Sequence, residues 1–136
     1  MTDREQIETK VKALWDARLK EDVDGTLKDV ADDAVFEINA RGTGVPGLSA
    51  PVVGKPAIGE ALRELFAIWD FKDWRAIDFL IDGEAAMVRW SAKVVCTPTG
   101  KSDTFDCYDL IRFRDGKIVD YRQATDTAML MRLAAT

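Results

Sequence analysis

The sequence predicts an α+β fold in which a strongly curved antiparallel sheet carries three helices on its concave face. Three observations lead to this prediction. Apolar residues recur at helical spacing in the first 20 residues and again after residue 55. Alternating segments fill most of the chain after residue 74, and short turns typical of hairpins separate them. At 136 residues, the chain is expected to form one domain, residues 1–136.

The helical segments differ in how strongly the sequence predicts them. Residues 3–20 carry an apolar stripe whose spacing continues to Arg18, which predicts the first helix. Residues 24–30 are expected to form a short second helix, with the aspartate at its start as the N-cap. A strict apolar stripe over residues 56–69 predicts the third helix, and its proline suits a first turn. Asp126 is a candidate cap for a short C-terminal helix that ends near residue 133.

Strands are predicted wherever apolar and polar residues alternate, at about residues 34–40, 74–82, 85–97, 102–114 and 117–125. Residues 41–55 contain four glycines and two prolines, which predicts a long loop within the domain. Such a loop is either the lid or rim of a binding site or a plain insertion, and the sequence leaves both open.

Composition excludes several classes of function. The net charge is −5 and no basic run occurs, so nucleic acid and membrane are not expected partners. The chain has no histidine, which excludes Ser-His-Asp and Cys-His nucleophiles and the usual histidine-containing zinc sites. Cys96 and Cys107 lack metal-type spacing, so no metal and no organic cofactor is predicted. The N-terminal residues have no signal-peptide character, and a cytoplasmic location is expected.

The most informative feature is a carboxylate on an apolar strand face. One face of the strand over residues 102–114 presents Phe105, Cys107, Asp109, Ile111 and Phe113. A buried charge is costly unless it is paired, protonated or used in chemistry. Asp109 is therefore the candidate general acid or base. The structural alternative is that it pairs across the hairpin or accepts a hydrogen bond from a Trp or Tyr.

The register of the hairpin around Asp115-Gly116 determines what lies beside Asp109. A two-residue turn places Asp109 opposite Arg122, whereas a three-residue loop with a left-handed glycine places it opposite Tyr121. We favour the three-residue loop because it brings Val119, Tyr121, Gln123 and Thr125 to the inner face and keeps the charged side chains outside.

At this point the chain resembles the nuclear transport factor 2-like superfamily, in particular its SnoaL-like and ketosteroid-isomerase-like branch. The residues that carry the resemblance are Asp22-Val-Asp-Gly25, Ala31-Asp-Asp-Ala34, Gly54-Lys-Pro-Ala-Ile58, Arg112-Phe-Arg-Asp-Gly-Lys-Ile118 and Asp126. The resemblance covers nearly the whole chain. It implies the cone fold, while the activities of this superfamily range from isomerases, cyclases, dehydratases and epoxide hydrolases to binding proteins that catalyse nothing.

The resemblance also implies roles for individual positions. Asp109 matches the oxyanion-hole aspartate of ketosteroid isomerases, whereas Ile38 stands at the position of their general base and Leu14 at that of their tyrosine. The positions that carry the catalytic side chains of limonene epoxide hydrolases are here Trp90, Ala92 and Gln123. One polar role of the isomerase site is thus retained.

These observations give two hypotheses of function. The first is a SnoaL-like isomerase, cyclase or related lyase or hydrolase that acts on a small apolar carbonyl compound, polyketide- or steroid-like, with Asp109 as acid/base or oxyanion donor. The second is a non-catalytic module that binds a hydrophobic ligand or a protein partner. The candidate pocket residues are Trp15, Phe36, Ile38, Val88, Trp90, Cys107, Ile111, Tyr121 and Gln123. The resemblance further implies a homodimer formed through the sheet.

Overall fold

A computed structural model describes residues 3–45 and 51–136 of the chain. These residues form an α+β fold with four helices packed on a curved, mixed sheet of six strands. The helices are α1 (Asp3–Leu19), α2 (Val23–Leu27), α3 (Lys55–Ile68) and α4 (Thr127–Ala134). The strands are β1 (Val30–Ile38), β2 (Val52–Val53), β3 (Trp69–Asp82), β4 (Ala85–Cys96), β5 (Ser102–Arg114) and β6 (Lys117–Ala124).

The sheet has the strand order β2-β1-β6-β5-β4-β3. Its long strands β3 to β6 form an antiparallel meander, as predicted. The exception is β1, which runs parallel to β6, so the sheet is mixed rather than antiparallel throughout. The parallel pairing arises because α3 and the meander separate the two strands in sequence, and a connection of that length can return in either direction.

The helices begin close to their predicted positions. Asp22, not Asp24, caps α2 by accepting a hydrogen bond from the Gly25 backbone N–H, and the helix ends earlier than predicted. Asp126 caps α4 as expected, accepting from the Met129 backbone N–H at 3.0 Å. The strand after α3 begins at Trp69, five residues earlier than predicted, because β3 follows the helix without an intervening loop.

Part of the predicted loop over residues 41–55 is a strand. Val52 and Val53 form β2, which pairs with Phe36 and Val35 of β1 at the edge of the sheet. The interpretation of this segment as a lid or rim depends on residues 46–50, which lie outside the described residues.

The β5–β6 hairpin has neither predicted register. A two-residue turn at Asp115 and Gly116, both with positive φ, joins Arg114 to Lys117, and Asp109 pairs with Gln123. The prediction that Asp109 lies opposite Tyr121 was therefore wrong. The register shifts because β6 contains a bulge at Val119, which adds one residue to that strand.

The predicted inner face of β6 is nevertheless largely retained. Ile118, Tyr121 and Gln123 are buried, while Asp120 and Arg122 are on the outer side. The bulge exchanges the inner and outer positions of β6 once along the strand. The predicted three-residue loop would have produced the same exchange at the turn. Ile118 takes the inner position nearest the turn, where Val119 had been predicted.

A continuous apolar core fills the space between the helices and the concave face of the sheet. Its central members are Trp15 of α1, Leu62 of α3 and Trp90 of β4, all at most 1% exposed. Within the described residues, no helix combines the length and apolar character needed to cross a membrane.

Candidate functional site

Asp109 lies at the centre of the core and is fully buried. Trp15 Nε1 donates to Asp109 Oδ2 at 3.0 Å, and Trp90 Nε1 donates to Oδ1 at 3.0 Å. The hydroxyl of Tyr121 also donates to Oδ2. The carboxyl group therefore accepts hydrogen bonds from three side chains on three different elements, α1, β4 and β6. This realises the structural alternative, in which Asp109 accepts hydrogen bonds from Trp and Tyr.

Arg18 is the second charged residue in this interior and is only 1% exposed. Its Nη1 donates to the Tyr121 hydroxyl at 3.3 Å and to Gln123 Oε1 at 3.1 Å. Its Nε and Nη2 are buried and have no hydrogen-bond partner among the described residues. Arg18 and Asp109 share Tyr121 as a neighbour, so the hydroxyl connects the guanidinium to the carboxyl group.

Aromatic rings hold both charged groups in place. The Arg18 guanidinium lies 4.0 Å from the centroid of the Trp15 ring, a cation–π contact. Trp74 stacks on Trp15 at a centroid distance of 5.0 Å. Trp74 belongs to a bulge of β3, where Asp73 has a φ of 53° and the register to β4 shifts. Such a bulge re-aims a side chain, and here it accompanies the stacking of Trp74 on Trp15.

Burial changes the acidity of this cluster. It raises the pKa of Asp109 above its ordinary value, while Arg18 and the hydrogen bonds from Tyr121, Trp90 and Trp15 oppose the shift. Burial, with the nearby Asp109 charge, also raises the pKa of Tyr121 well above its usual value. Burial raises the pKa of Cys107 to about 12, so this thiol stays protonated and unreactive at neutral pH.

Two small cavities flank the polar cluster, each with a free volume of about 20 Å³. That is the space of about one water molecule. The first, called the helix-side cavity here, is lined by Leu14, Arg18, Thr26, Leu27, Val30, Ala34, Val35, Phe36, Ile58, Leu62, Ile118 and Tyr121. The second, called the sheet-side cavity, is lined by Ile38, Leu65, Trp69, Phe71, Trp90, Val94, Phe105, Cys107, Gln123, Thr125 and Leu130.

Six of the nine candidate pocket residues of the sequence analysis line one of these two cavities. Phe36 and Tyr121 line the helix-side cavity, while the sheet-side cavity is lined by Ile38, Trp90, Cys107 and Gln123. Trp15, Val88 and Ile111 are fully buried and line neither cavity. Phe36 is half-buried and packs on Tyr121 with ring centroids 5.5 Å apart.

Asp109 itself lines neither cavity. Its connection to the helix-side cavity is the Tyr121 hydroxyl, and its connection to the sheet-side cavity is Trp90. Among the described residues, the hydrogen-bond connection from Asp109 to the helix-side cavity therefore runs through Tyr121. Among residues 3–45 and 51–136, no group of three or more His, Cys, Asp or Glu side chains is placed to hold a metal ion.

Arg18 and Trp74 are the site residues that the sequence analysis did not select. Arg18 continues the spacing of the apolar stripe on the first helix, so the argument applied to Asp109 applies to it as well: a lone charge on an apolar face needs a reason. No pattern in the sequence marked Trp74, because its contact with Trp15 occurs at the β3 bulge and not within regular strand alternation.

The comparison with protein families agrees with the fold. The profile of the SnoaL-like domain matches residues 11–121, which include the second half of α1, the meander as far as Tyr121, and Asp109 with its hydrogen-bond partners. The chain belongs to the SnoaL-like family. None of the curated proteins matches the chain at a significant level.

Solved structures share this SnoaL-like fold over the full chain. An NTF2-like protein of unknown function from Burkholderia pseudomallei is 22% identical, with 100% of both chains covered and a TM-score of 0.85. A proposed isomerase from Bacillus subtilis is 18% identical over 98% of this chain and 95% of its own, with a TM-score of 0.86. A proposed polyketide cyclase from Xanthomonas campestris pv. campestris is 15% identical over 98% and 100%, with a TM-score of 0.80. At these identities the likeness concerns the fold.

Proposed function

We propose that this SnoaL-like protein is a cofactor-independent acid/base enzyme, an isomerase or cyclase, acting on a small apolar carbonyl compound bound in the helix-side cavity. One observation carries the proposal: Tyr121 and the buried Arg18 both line an otherwise largely apolar cavity, and Arg18 Nε and Nη2 have no hydrogen-bond partner among the described residues. A purely structural polar cluster is normally fully hydrogen-bonded. The names given to the B. subtilis and X. campestris proteins support the same class of reaction.

Tyr121 is the residue that would contact the substrate oxygen. In the resting arrangement the Tyr121 hydroxyl donates a hydrogen bond to Asp109. When Asp109 is protonated, its carboxyl proton can be donated to the Tyr121 oxygen, and the Tyr121 proton becomes free to bond the substrate carbonyl. Because the pKa of Tyr121 is raised, the phenol acts as a neutral hydrogen-bond donor that stabilises negative charge developing on the substrate oxygen. Asp109 is then a positioning residue rather than a group that touches the substrate.

The helix-side cavity has to open for this function. At about 20 Å³ it has room for about one water molecule and not for a substrate. Its wall includes Leu27 of the five-residue helix α2, which packs on α3 where α3 has Gly59. We propose that α2, the shortest of the helices in the described residues, is the part of the wall that moves.

Replacing Tyr121 by phenylalanine tests the proposed donor. We expect the wild-type protein to accelerate the exchange of the α-hydrogens of cyclohexanone in D₂O, followed by proton NMR, with Tyr121 stabilising the enolate oxygen and solvent water accepting the proton from carbon. The Tyr121→Phe variant should be slower by roughly 10²–10³-fold, the usual effect of removing one oxyanion donor. The wild-type rate should fall as pH rises through the raised pKa of Asp109, because the protonated carboxyl is the active form.

The matched control is Tyr108→Phe, which changes a tyrosine that is 46% exposed on the opposite face of β5. This variant should keep the wild-type rate. A wild-type rate equal to that of buffer, or a Tyr121→Phe rate equal to that of wild type, would contradict the proposal.

The second candidate is a non-catalytic module that binds a hydrophobic ligand. The observation that favours it is that no carboxylate lines the helix-side cavity, so the cavity contains no evident base for removing a proton from carbon. Cyclohexanone that binds and raises the melting temperature without any exchange of its α-hydrogens would support this alternative.

We also propose that two copies associate through the outer face of the sheet. On that face Leu80 pairs with Met87, and Met87 pairs with Leu110 of β5. Leu80 is 65% and Met87 37% exposed, so apolar surface is available there. Arg89 lies beside this patch, 3.6 Å from Asp78 and 3.9 Å from Asp106.

A charge placed in this patch should separate the copies. Met87→Asp is expected to raise the dimer dissociation constant at least about tenfold, since burial of a methionine is worth about 1.5–3 kcal/mol. Sedimentation equilibrium measures this constant. Met131→Asp, which alters an exposed methionine on α4, should leave it unchanged. A wild-type protein that is monomeric at high micromolar concentration would refute the proposed dimer.

A further inference from the structure

Arg18 has an open hydrogen-bonding edge within the core. A guanidinium has five N–H donors, and here Nη1 makes both of the hydrogen bonds, to Tyr121 and Gln123. The unpartnered nitrogens are Nε and Nη2. These two atoms lie on the same edge of the guanidinium plane, the edge that binds the two oxygens of a carboxylate side-on. The unsatisfied part of Arg18 is thus one complete recognition element.

The charge of Arg18 also lacks a direct counterion. Among the described residues, Arg18 and Asp109 are the only buried residues of the ordinarily charged types. No ion pair joins them within the described part of the chain, and the Asp109 oxygens accept from Trp15, Trp90 and Tyr121 instead. The acceptors that Arg18 does contact, a phenol and an amide, are neutral. A buried cation whose direct hydrogen-bond partners are neutral favours an anionic ligand.

The surroundings define the rest of the ligand. Arg18 lines the helix-side cavity, whose other walls are almost entirely aliphatic or aromatic. The Trp15 ring covers one side of the guanidinium at 4.0 Å and restricts its plane, leaving its edges for hydrogen bonds. A ligand that satisfies both features has an apolar body and a carboxylate.

We propose that the Nε–Nη2 edge of Arg18 is a carboxylate-binding subsite, and that the molecule bound in the helix-side cavity is a small apolar carboxylic acid. This inference rests on the proposed use of that cavity as the substrate site. It adds that the substrate's carboxylate pairs with Arg18, while its carbonyl oxygen is left to Tyr121.

Benzoate and benzamide test the subsite, because they share an apolar ring and nearly the same shape and differ in charge. Isothermal titration of the wild-type protein should show benzoate binding on the order of tenfold more tightly than benzamide, the gain expected of a bidentate charged pair. Arg18→Lys keeps the charge and removes the bidentate edge, so it should lose this preference while its affinity for benzamide is unchanged. The control Arg122→Lys, on the outer side of β6, should retain the preference.

A second measurement does not depend on the stability of any variant. In wild-type protein labelled with ¹⁵N-arginine, benzoate should shift the Nε–H resonance of Arg18 downfield, and benzamide should not. Equal affinities for the two probes, or an Arg18→Lys variant that keeps the preference, would overturn the subsite.

The outcomes also separate this inference from the proposed function. If both probes bind equally and Tyr121→Phe still slows exchange in cyclohexanone, the subsite is wrong and the proposed function stands. If neither probe binds the wild-type protein, the subsite is wrong, and the exchange of cyclohexanone hydrogens decides the proposed function by itself.

Discussion

Replacement of Asp109 by alanine is expected to lower the free energy of unfolding by about 3–5 kcal/mol, the range for breaking a buried charged arrangement. The indole N–H groups of Trp15 and Trp90 and the Tyr121 hydroxyl lose their acceptor together. Each buried donor left without a partner costs about 1–3 kcal/mol. Arg18 also becomes the only charged residue left in the described core.

Urea denaturation followed by circular dichroism measures this loss without relying on the fluorescence of the tryptophans involved. The control is Asp106→Ala, three residues earlier on β5, where the side chain is 55% exposed on the outer face. Surface changes of this kind stay within about 0.5 kcal/mol. A loss of less than about 1 kcal/mol for Asp109→Ala would show that the cluster does not depend on its acceptor.

Replacement of Arg18 by methionine is expected to make the stability of the protein fall more steeply as pH rises. Methionine has a similar length, but it removes the hydrogen bonds to Tyr121 and Gln123, which costs about 1–3 kcal/mol. It also removes the positive charge that lowers the pKa of Asp109. The pKa of Asp109, already raised by burial, should therefore rise further in the variant.

The sign follows from proton linkage. A carboxyl group whose pKa is raised by folding holds a proton that the unfolded chain releases above its own pKa of about 3.9. Stability is therefore lost as pH increases from about 4 up to the raised pKa of the folded state. The window extends to higher pH in Arg18→Met than in wild type, so the difference in unfolding free energy between the two should grow from pH 5 to pH 8.

Urea denaturation at pH 5, 6, 7 and 8 measures that difference. The double variant Arg18→Met/Asp109→Asn lacks the titrating group, and its difference from Asp109→Asn should be independent of pH. A wild-type minus Arg18→Met difference that stays constant over the same range would mean that Arg18 does not act on the ionisation of Asp109.

The predictable part of the fold comes from local patterns. The apolar stripe of α3, the cap at the start of α4, and the alternation along β4 and β5 depend on residues that are close in sequence. Helical and strand periodicity therefore located nearly all of the elements. The parallel pairing of β1 with β6 was missed, because it joins segments about 85 residues apart and leaves no local signal.

The hairpin shows where local reasoning stops. Asp115-Gly116 correctly indicated a turn, and the need to bury Tyr121 and Gln123 correctly indicated which face of β6 points inward. The pairing of Asp109 with Gln123 depended on a bulge at Val119. A bulge is selected by the packing of the whole sheet, so turn chemistry alone could not place it.

The sequence by itself determined that Asp109 lies on the inner face of its strand, because the alternation of β5 allows only that placement once the face is buried. The sequence also places Arg18 on the apolar face of α1, although this arginine was not among the predicted site residues. Only the tertiary structure decided that these two charges meet around Tyr121, one on the first helix and the other near the end of the chain. That meeting requires α1 to cross the concave face of the sheet. The crossing is fixed by core packing among distant segments, and no spacing along the chain encodes it.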